Sequence, residues 1–212
     1  MDIFIGIDQS INSTGITIQK FEKEKKIDEL FYIIKPNKLT RNEIKASETI
    51  NNFEYICYNK QEKADAKDNN EFELNKLQNN IEITDIIINL INNHVKQLDR
   101  LYVSMEGVSY QSHKTQSIVD LSGLSYLIRY RIYKYFLSHQ DQMGCLKIFS
   151  AKEIKKFATG NGAASKEVMI NLFKSMNKQF DILIKTDDLA DSFWICSYMR
   201  KIFIDEYKYN CC

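Results

Sequence analysis

The chain has 212 residues, of which 44% are hydrophobic, and it carries 12 phenylalanines and 12 tyrosines. This content is enough for one sizeable core, and so many aromatic residues exclude a disordered chain. The net charge of +1 gives no overall basic character, although a local basic surface is still compatible with it. No apolar stretch reaches the roughly 18 residues that a membrane-spanning helix requires. The five cysteines form no zinc-binding spacing, so we expect one soluble intracellular domain over residues 1–212, without a membrane partner.

Three short, β-branched segments open the chain and predict the start of an antiparallel sheet. The predicted strands are residues 2–8, 15–20 and 29–34, with a turn at residues 9–14. Residues 35–80 are polar, rich in Asn and Lys, and without a clear period. We predict a polar insertion or loop there, partly helical near residues 71–77.

The second half of the chain alternates helical and strand patterns. The predicted helices are residues 81–98, 115–137, 150–158, 165–176 and 187–205, and the predicted strands are residues 100–105 and 146–149. Ser150 and Ser165 are candidate N-caps, and Glu153 completes a capping box with Ser150. Strands first and then alternating helices and strands predict an α/β fold, with a mixed β-sheet and helices on both faces.

Four carboxylates stand where predicted strands end or a predicted helix begins. Asp8 ends the first strand, Glu106 ends a later strand, and Asp188 and Asp191 lie one turn apart at the start of the last helix. Such positions meet at one edge of a mixed sheet, and two Mg²⁺ ions held there by carboxylates could drive phosphodiester hydrolysis. Taken singly, Asp8 also fits a turn residue, and the helical acids also fit favourable charges at a helix N-terminus.

Four segments are similar to the RuvC-type Holliday junction resolvases of the RNase H-like superfamily. Residues 5–10 (IGIDQS) with 14–15 (TG) resemble the first motif of that family, and residues 103–106 (VSME) resemble its second acidic strand. Residues 157–168 resemble its glycine-containing segment, and residues 188–192 (DLADS) resemble the motif that opens its final helix. The segments keep the family's order over nearly the whole chain. The departures, a polar Gln9-Ser10 pair and a long 35–80 segment, resemble viral and phage members.

The resemblance implies an RNase H-like fold and a structure-selective endonuclease that resolves Holliday junctions or other branched DNA in recombination and repair. It implies a homodimer, with two Mg²⁺ or Mn²⁺ ions in each active site. It also implies that Asp8, Glu106, Asp188 and Asp191 bind these ions as the catalytic set. Lys166 would approach the scissile phosphate as a further catalytic residue. The location implied is the cytoplasm or nucleoid, a viral replication site or an organelle.

A basic segment gives the candidates for DNA contact. Between residues 147 and 178 the chain has seven lysines and two glutamates. The candidate DNA-binding residues are Lys152, Lys155, Lys156, Lys166 and Tyr110. Tyr110 follows the second acidic strand and could stack on a base, although a packed loop tyrosine is an equal interpretation. Each lysine also fits a solvated surface charge.

Three rival functions share parts of this pattern. A nuclease of the same fold that acts on RNA or an RNA–DNA hybrid would carry the same acids. A non-catalytic DNA-binding or scaffold protein descended from a nuclease would be indicated by the loss of one acid, and all four are present. An actin-like or sugar-kinase fold also begins with a strand, an Asp and glycines. That fold requires further glycine-rich phosphate and adenosine motifs, and this chain has only 7 glycines.

Overall fold

The computed structural model describes residues 1–108, 115–183 and 186–210, with side chains throughout these ranges except at 115–117 and 206–210. The strands are β1 (Asp2–Asp8), β2 (Thr14–Glu22), β3 (Lys25–Pro36), β4 (Phe53–Tyr58), β5 (Arg100–Glu106) and β6 (Gly144–Phe149). The helices are α1 (Arg41–Thr49), α2 (Asn69–His94), α3 (Thr115–Ser138), α4 (Ala151–Thr159), α5 (Lys166–Met176) and α6 (Asp187–Asn210). Short 3-10 turns occur at Lys63–Asp65 and Lys178–Ile182.

The six strands form one mixed sheet in the order β4-β3-β2-β1-β5-β6. The pairs β1–β2 and β2–β3 are antiparallel, as the sequence predicts, and the other three pairs are parallel. In this register Asp8 pairs with Gly15, and its neighbour Ile7 pairs with Met105 of β5. The carboxyl ends of β1 and β5 therefore lie side by side, which places Asp8 and Glu106 at the same edge of the sheet.

Helices cover both faces of the sheet, which confirms the predicted α/β architecture. Side chains of β1 alternate between the two faces, as the two-residue period of a strand requires. Phe4 packs into a core formed with α1, α4, α5 and α6, whereas Ile3, Ile5 and Ile7 pack into a second core formed with α2 and α3. In the described part of the chain, no helix has the length and apolar character needed to span a membrane.

Residues 35–80 contain the helical part predicted near residues 71–77, as the first turns of α2, but they also contain α1 and β4, which a polar insertion or loop did not predict. A capping box between Thr40 and Glu43 starts α1. The strand β4 pairs with β3 in parallel, a long-range contact that no local pattern reveals. The helix predicted at 81–98 instead covers Asn69–His94, with Asp68 as its N-cap. Its first turns are polar and largely exposed, so they carry no apolar period.

The helix α6 lies directly on β1 and β2 because two glycines leave room for its backbone. A Cβ at Gly6 would stand 2.2 Å from the carbonyl oxygen of Ser192, and a Cβ at Gly15 would stand 2.2 Å from that of Asp188. A buried hydrogen bond of 2.9 Å joins the hydroxyls of Thr17 and Ser192 across the same contact. The start of α6 is therefore fixed against the carboxyl end of β1.

Replacing Gly6 with alanine is expected to lower the free energy of unfolding by about 3 kcal/mol, because the new methyl group must displace the α6 backbone. The matched control is Gly123→Ala, since Gly123 is exposed within α3 and its added Cβ would meet no atom closer than 3.8 Å. That control should raise the stability by roughly 0.5–1 kcal/mol. Urea unfolding of both variants measures the difference, and equal stabilities would contradict this seating of α6.

Candidate active site

The four predicted acids converge at the carboxyl end of β1. Asp8 is the last residue of β1, Glu106 is the last residue of β5, and Asp188 and Asp191 lie in the first turns of α6. Burial raises the pKa of Asp8 well above its usual value, and the charges of Asp191, Asp188 and Glu106 raise it further. A mutual electrostatic effect of this kind requires short separations, so the structure brings the predicted acids into one cluster.

The pKa values of the other three acids of the cluster are also raised. Burial raises the pKa of Asp188 to about 6, against the opposing effect of a hydrogen bond from Ser13. Burial also raises the pKa of Glu106, and the charge of Asp191 adds to that rise. The pKa of Asp191 is raised by burial even though Lys166 lowers it. Because every member is harder to ionise than usual, the cluster favours either protons or bound cations.

Lys166 places a positive charge directly beside the cluster. Its ammonium group lies 3.0 Å from a carboxylate oxygen of Asp191 and 3.3 Å from one of Asp187. Burial opposes its charge, but Asp191, Asp187 and Asp8 outweigh that effect and raise the pKa of Lys166. Lys166 is the first residue of α5, which follows the N-cap Ser165. The predicted catalytic lysine is thus an ion-pair partner of the acids, with a side chain that is still 53% exposed.

Ser13 is a site residue that the sequence did not reveal. Its hydroxyl donates a short hydrogen bond to a carboxylate oxygen of Asp188. This contact distinguishes Asp188 from its neighbour Asp187, which is 39% exposed and contacts Lys166. A serine in a turn is common, so its type alone carried no signal. A usable signal was its place two residues before Gly15, the residue that Asp188 packs against.

The loop from residue 9 to residue 13 is held at both ends. The Gln9 side-chain amide donates to the carbonyl oxygen of Glu106 at 2.7 Å, which ties the ends of β1 and β5 together. The Thr14 hydroxyl donates to the carbonyl oxygen of Ser10 at 2.7 Å and accepts from the Ser10 amide at 3.2 Å. These bonds fix the loop and therefore the position of Ser13.

The candidate DNA-binding residues divide by position. Lys155 is half-buried on α4 and close enough to lower the pKa of both Glu106 and Asp191. Lys152 and Lys156 are exposed on the same helix. Lys152 lies over the turn at Gly162, where an added Cβ would stand 2.8 Å from its side chain. Tyr110 lies outside the described residues.

The donor chemistry of the cluster suits a hard divalent cation. Carboxylate oxygens are the ligands that Mg²⁺ and Mn²⁺ prefer. Across residues 1–108, 115–183 and 186–210, no three ligand-type side chains already form a metal-holding group. Mg²⁺ is usually held by only one or two carboxylates together with water and substrate phosphate, so a complete protein cage is not required. The acids of this cluster therefore fit such an ion.

The raised pKa of Asp188 predicts that the free energy of unfolding of the metal-free protein decreases as the pH rises. Its pKa rises from 3.8 to about 6 on folding, so the metal-free folded state holds the proton more tightly than the unfolded state. The contribution of Asp188 to stability is therefore present at low pH and is lost as the pH rises from about 4 to about 6. The variant Asp188→Asn should be more stable than the native chain at pH 8 in a chelator, by on the order of 3 kcal/mol.

The matched control for this measurement is Asp187→Asn, which removes a partly exposed ion pair with Lys166 and should change the stability by less than about 1 kcal/mol. Urea unfolding as a function of pH compares the two variants with the native chain. A loss of stability in Asp188→Asn at pH 8 would contradict the electrostatic strain described above.

Solved structures of similar fold were found, although no family model and no curated protein sequence matches the chain. A structure of Thermus thermophilus RuvC aligns at 10% identity with a TM-score of 0.54, over 94% of this chain and 96% of that one. The T. thermophilus RuvC complex with Holliday junction substrate aligns at 9% identity with a TM-score of 0.55, over 95% and 96% of the two chains.

A third structure, the yeast mitochondrial Holliday junction resolvase Ydc2, aligns at 15% identity with a TM-score of 0.50, over 98% of this chain and 82% of that one. Because these structures come from a bacterium and a yeast, the resemblance to viral and phage members stays a prediction. Identities this low establish the fold alone. Together with the mixed sheet and its two helical layers, they show that this chain has the RNase H-like fold of the RuvC-type resolvases.

Proposed function

We propose that the chain is a structure-selective endonuclease that cuts Holliday junctions or other branched DNA by metal-dependent phosphodiester hydrolysis. The observation that carries the proposal is the convergence of Asp8, Glu106, Asp188 and Asp191 beside Lys166 at one sheet edge. Support comes from the fold, which is shared with a RuvC that was solved in complex with Holliday junction substrate. The same acids would serve a nuclease acting on RNA or an RNA–DNA hybrid, so the substrate is decided by experiment.

The four acids would hold two Mg²⁺ or Mn²⁺ ions in each active site. When bound, such ions generate a hydroxide nucleophile and stabilise the leaving oxygen. The raised pKa values of the acids mean that ion binding would displace protons from the cluster. Ser13 would hold one oxygen of Asp188 in place while the other remains available. Lys166 would turn from Asp191 toward the scissile phosphate, and Lys155 would contact a phosphate nearby.

The first test is cleavage of a synthetic four-way DNA junction with Mg²⁺ or Mn²⁺. The native chain should introduce paired nicks, and Asp8→Asn should reduce the rate by at least about a hundredfold, since even outer-shell partners of metal ligands contribute 10–100-fold. The matched control is Asp205→Asn, because Asp205 lies at the far end of α6 and pairs only with Lys201 among the described residues.

Parallel substrates separate the rival functions in the same assay. Cleavage of an RNA–DNA hybrid but not of the junction would favour the RNA-directed nuclease. Junction binding without cleavage by the native chain, with each metal tried, would favour a non-catalytic DNA-binding protein. An unchanged rate in Asp8→Asn would remove the carboxylate cluster from the mechanism.

We further propose a homodimer that uses an exposed apolar face of α3. Its side chains are 46–61% exposed, and their spacing of three, four and seven residues places them on one side of the helix. The members of this face are Val119, Tyr126, Tyr130, Tyr133 and Leu137. Two copies of such a helix bury one another's apolar side chains in the manner of a heptad seam. A second copy is therefore the occupant that the spacing favours.

The dimer proposal is tested by Tyr130→Lys, which puts a charge at the centre of the α3 face. We expect the native chain to sediment as a dimer and this variant to sediment as a monomer, with nicks on opposite strands no longer coupled. The matched control is Leu98→Lys, since Leu98 is 92% exposed and lies outside α3. A native chain that sediments as a monomer both alone and on a junction would contradict the proposal.

A further inference from the structure

A second cleft lies next to the candidate active site, on the opposite face of the sheet from α4 and α5. Its volume is about 450 Å³, within the range of known ligand sites. Its walls come from the loop after β1, the segment after β4, and the facing sides of α2 and α3. The lining side chains include Asn12, Lys60, Gln61, Lys63, Phe72 and Asn80.

The cleft and the acids share one structural support. The Lys60 ammonium donates to the side-chain oxygen of Asn12 at 3.3 Å, and the Tyr58 hydroxyl donates to the carbonyl oxygen of Ile11 at 3.0 Å. Ser13, the next residue of this loop, donates to Asp188. One side of the loop therefore forms a wall of the cleft while its end contacts the acid cluster. The loop thereby joins the cleft to the acid cluster.

An aromatic ring with cations against it forms one wall. The ammonium groups of Lys76 and Lys63 lie 4.6 and 5.5 Å from the ring centroid of Phe72. Lys76 is neutralised by Glu73 at 2.9 Å and by Asp120 at 3.4 Å. Among the described residues, no carboxylate lies within ion-pair distance of Lys63. Lys63 is therefore available to a negatively charged ligand beside the ring.

The remaining polar groups of the cleft suit a ligand with an uncharged base and a single negative charge. Side-chain amides of Asn12, Gln61 and Asn80 line the cleft and offer both donors and acceptors. Asn79 is already committed, because both atoms of its amide bond the backbone of Gln61 at 2.9 and 3.0 Å. Three lysines and two carboxylates line the cleft, which leaves a single positive charge in excess. That excess matches one phosphodiester better than a polyphosphate.

We propose that this cleft receives one unstacked nucleotide of the DNA strand that enters the candidate active site. The base would stack on Phe72 with its edge toward the amides, and Lys63 would contact the adjoining phosphate, since Lys60 is already paired with Glu62 at 3.4 Å. Aromatic stacking of this kind tolerates every base, while amide contacts discriminate between bases. The cleft would thereby add sequence preference to a nuclease that selects its substrate by shape. This inference rests on the proposed action on DNA.

Photo-cross-linking tests the placement of the nucleotide. The full-length chain carrying Asp8→Asn, which should bind without cutting, is irradiated on four-way junctions that contain 5-iodouracil at successive positions near the branch. We expect a cross-link at one or two adjacent positions, mapped by mass spectrometry to the peptide that contains Phe72, and its loss in Phe72→Leu. Cross-links that map only outside residues 59–80 would overturn the inference.

The phosphate contact of Lys63, an exposed residue, is tested by the salt dependence of junction binding. Lys63→Ala should weaken junction binding and reduce the slope of log affinity against log salt by about 1. Lys25→Ala is the matched control, because Lys25 is exposed at the opposite end of the sheet. An unchanged slope in Lys63→Ala would count against the cleft.

Failure of this inference is distinguishable from failure of the proposed function. Junction cleavage by the native chain with no cross-link at Phe72 would reject the cleft and keep the nuclease. A cross-link at Phe72 without any cleavage would keep the cleft and reject the nuclease. No binding to any DNA would reject both.

Discussion

Direct contact between the α6 backbone and the sheet is the constraint on which the site depends. Gly6 and Gly15 have no side chain, so the α6 backbone lies directly against the backbones of β1 and β2. A Cβ at either glycine would stand 2.2 Å from a carbonyl oxygen of α6. Helices usually pack on sheets through side chains that hold the two backbones well apart, and at that distance the acids of α6 would stand away from Asp8. These two glycines therefore set the separation between Asp8 and the acids of α6. The buried hydroxyls of Thr17, Ser104 and Ser192 continue this close contact along the helix.

The consequence of that contact is an electrostatic cost that protons or bound cations relieve. Partial burial raises the pKa of Asp8 and of Asp188, and the neighbouring acids add repulsion. Lys166 offsets part of this cost from α5, where a capped helix start holds it beside Asp191. A lysine is a suitable internal counter-ion because its flexible stem lets the charge move without moving the helix. The same lysine can therefore balance the acids in the free protein and turn to a phosphate when a substrate arrives.

The sequence predicted the parts of this structure that depend on local pattern or on strand order. The first three strands, the caps Ser150 and Ser165, and the placement of Asp8 and Glu106 at strand ends all follow from short stretches. The pairing of β4 with β3 could not be predicted, because it depends on contacts about twenty residues apart in a polar segment. The helical stretch predicted near residues 71–77 is present, but its continuity with the helix predicted at 81–98 was not predicted, since the polar first turns of α2 are stabilised by the Asp68 cap and not by an apolar stripe. Ser13 was missed because its function exists only once α6 is seated.

The near-zero net charge of the chain is compatible with a nucleic-acid partner once the positions of the lysines are considered. Away from the site, lysines are paired with carboxylates on the surface, as in Lys26 with Glu29 and Lys201 with Asp205. Beside the acids, Lys155 and Lys166 approach from α4 and α5, whereas Lys63 lies against Phe72 in the cleft on the opposite face of the sheet. A phosphate backbone that crosses the acid cluster would therefore meet the positive charges of Lys155 and Lys166. Local arrangement of charge, not its sum, therefore determines what this edge can bind.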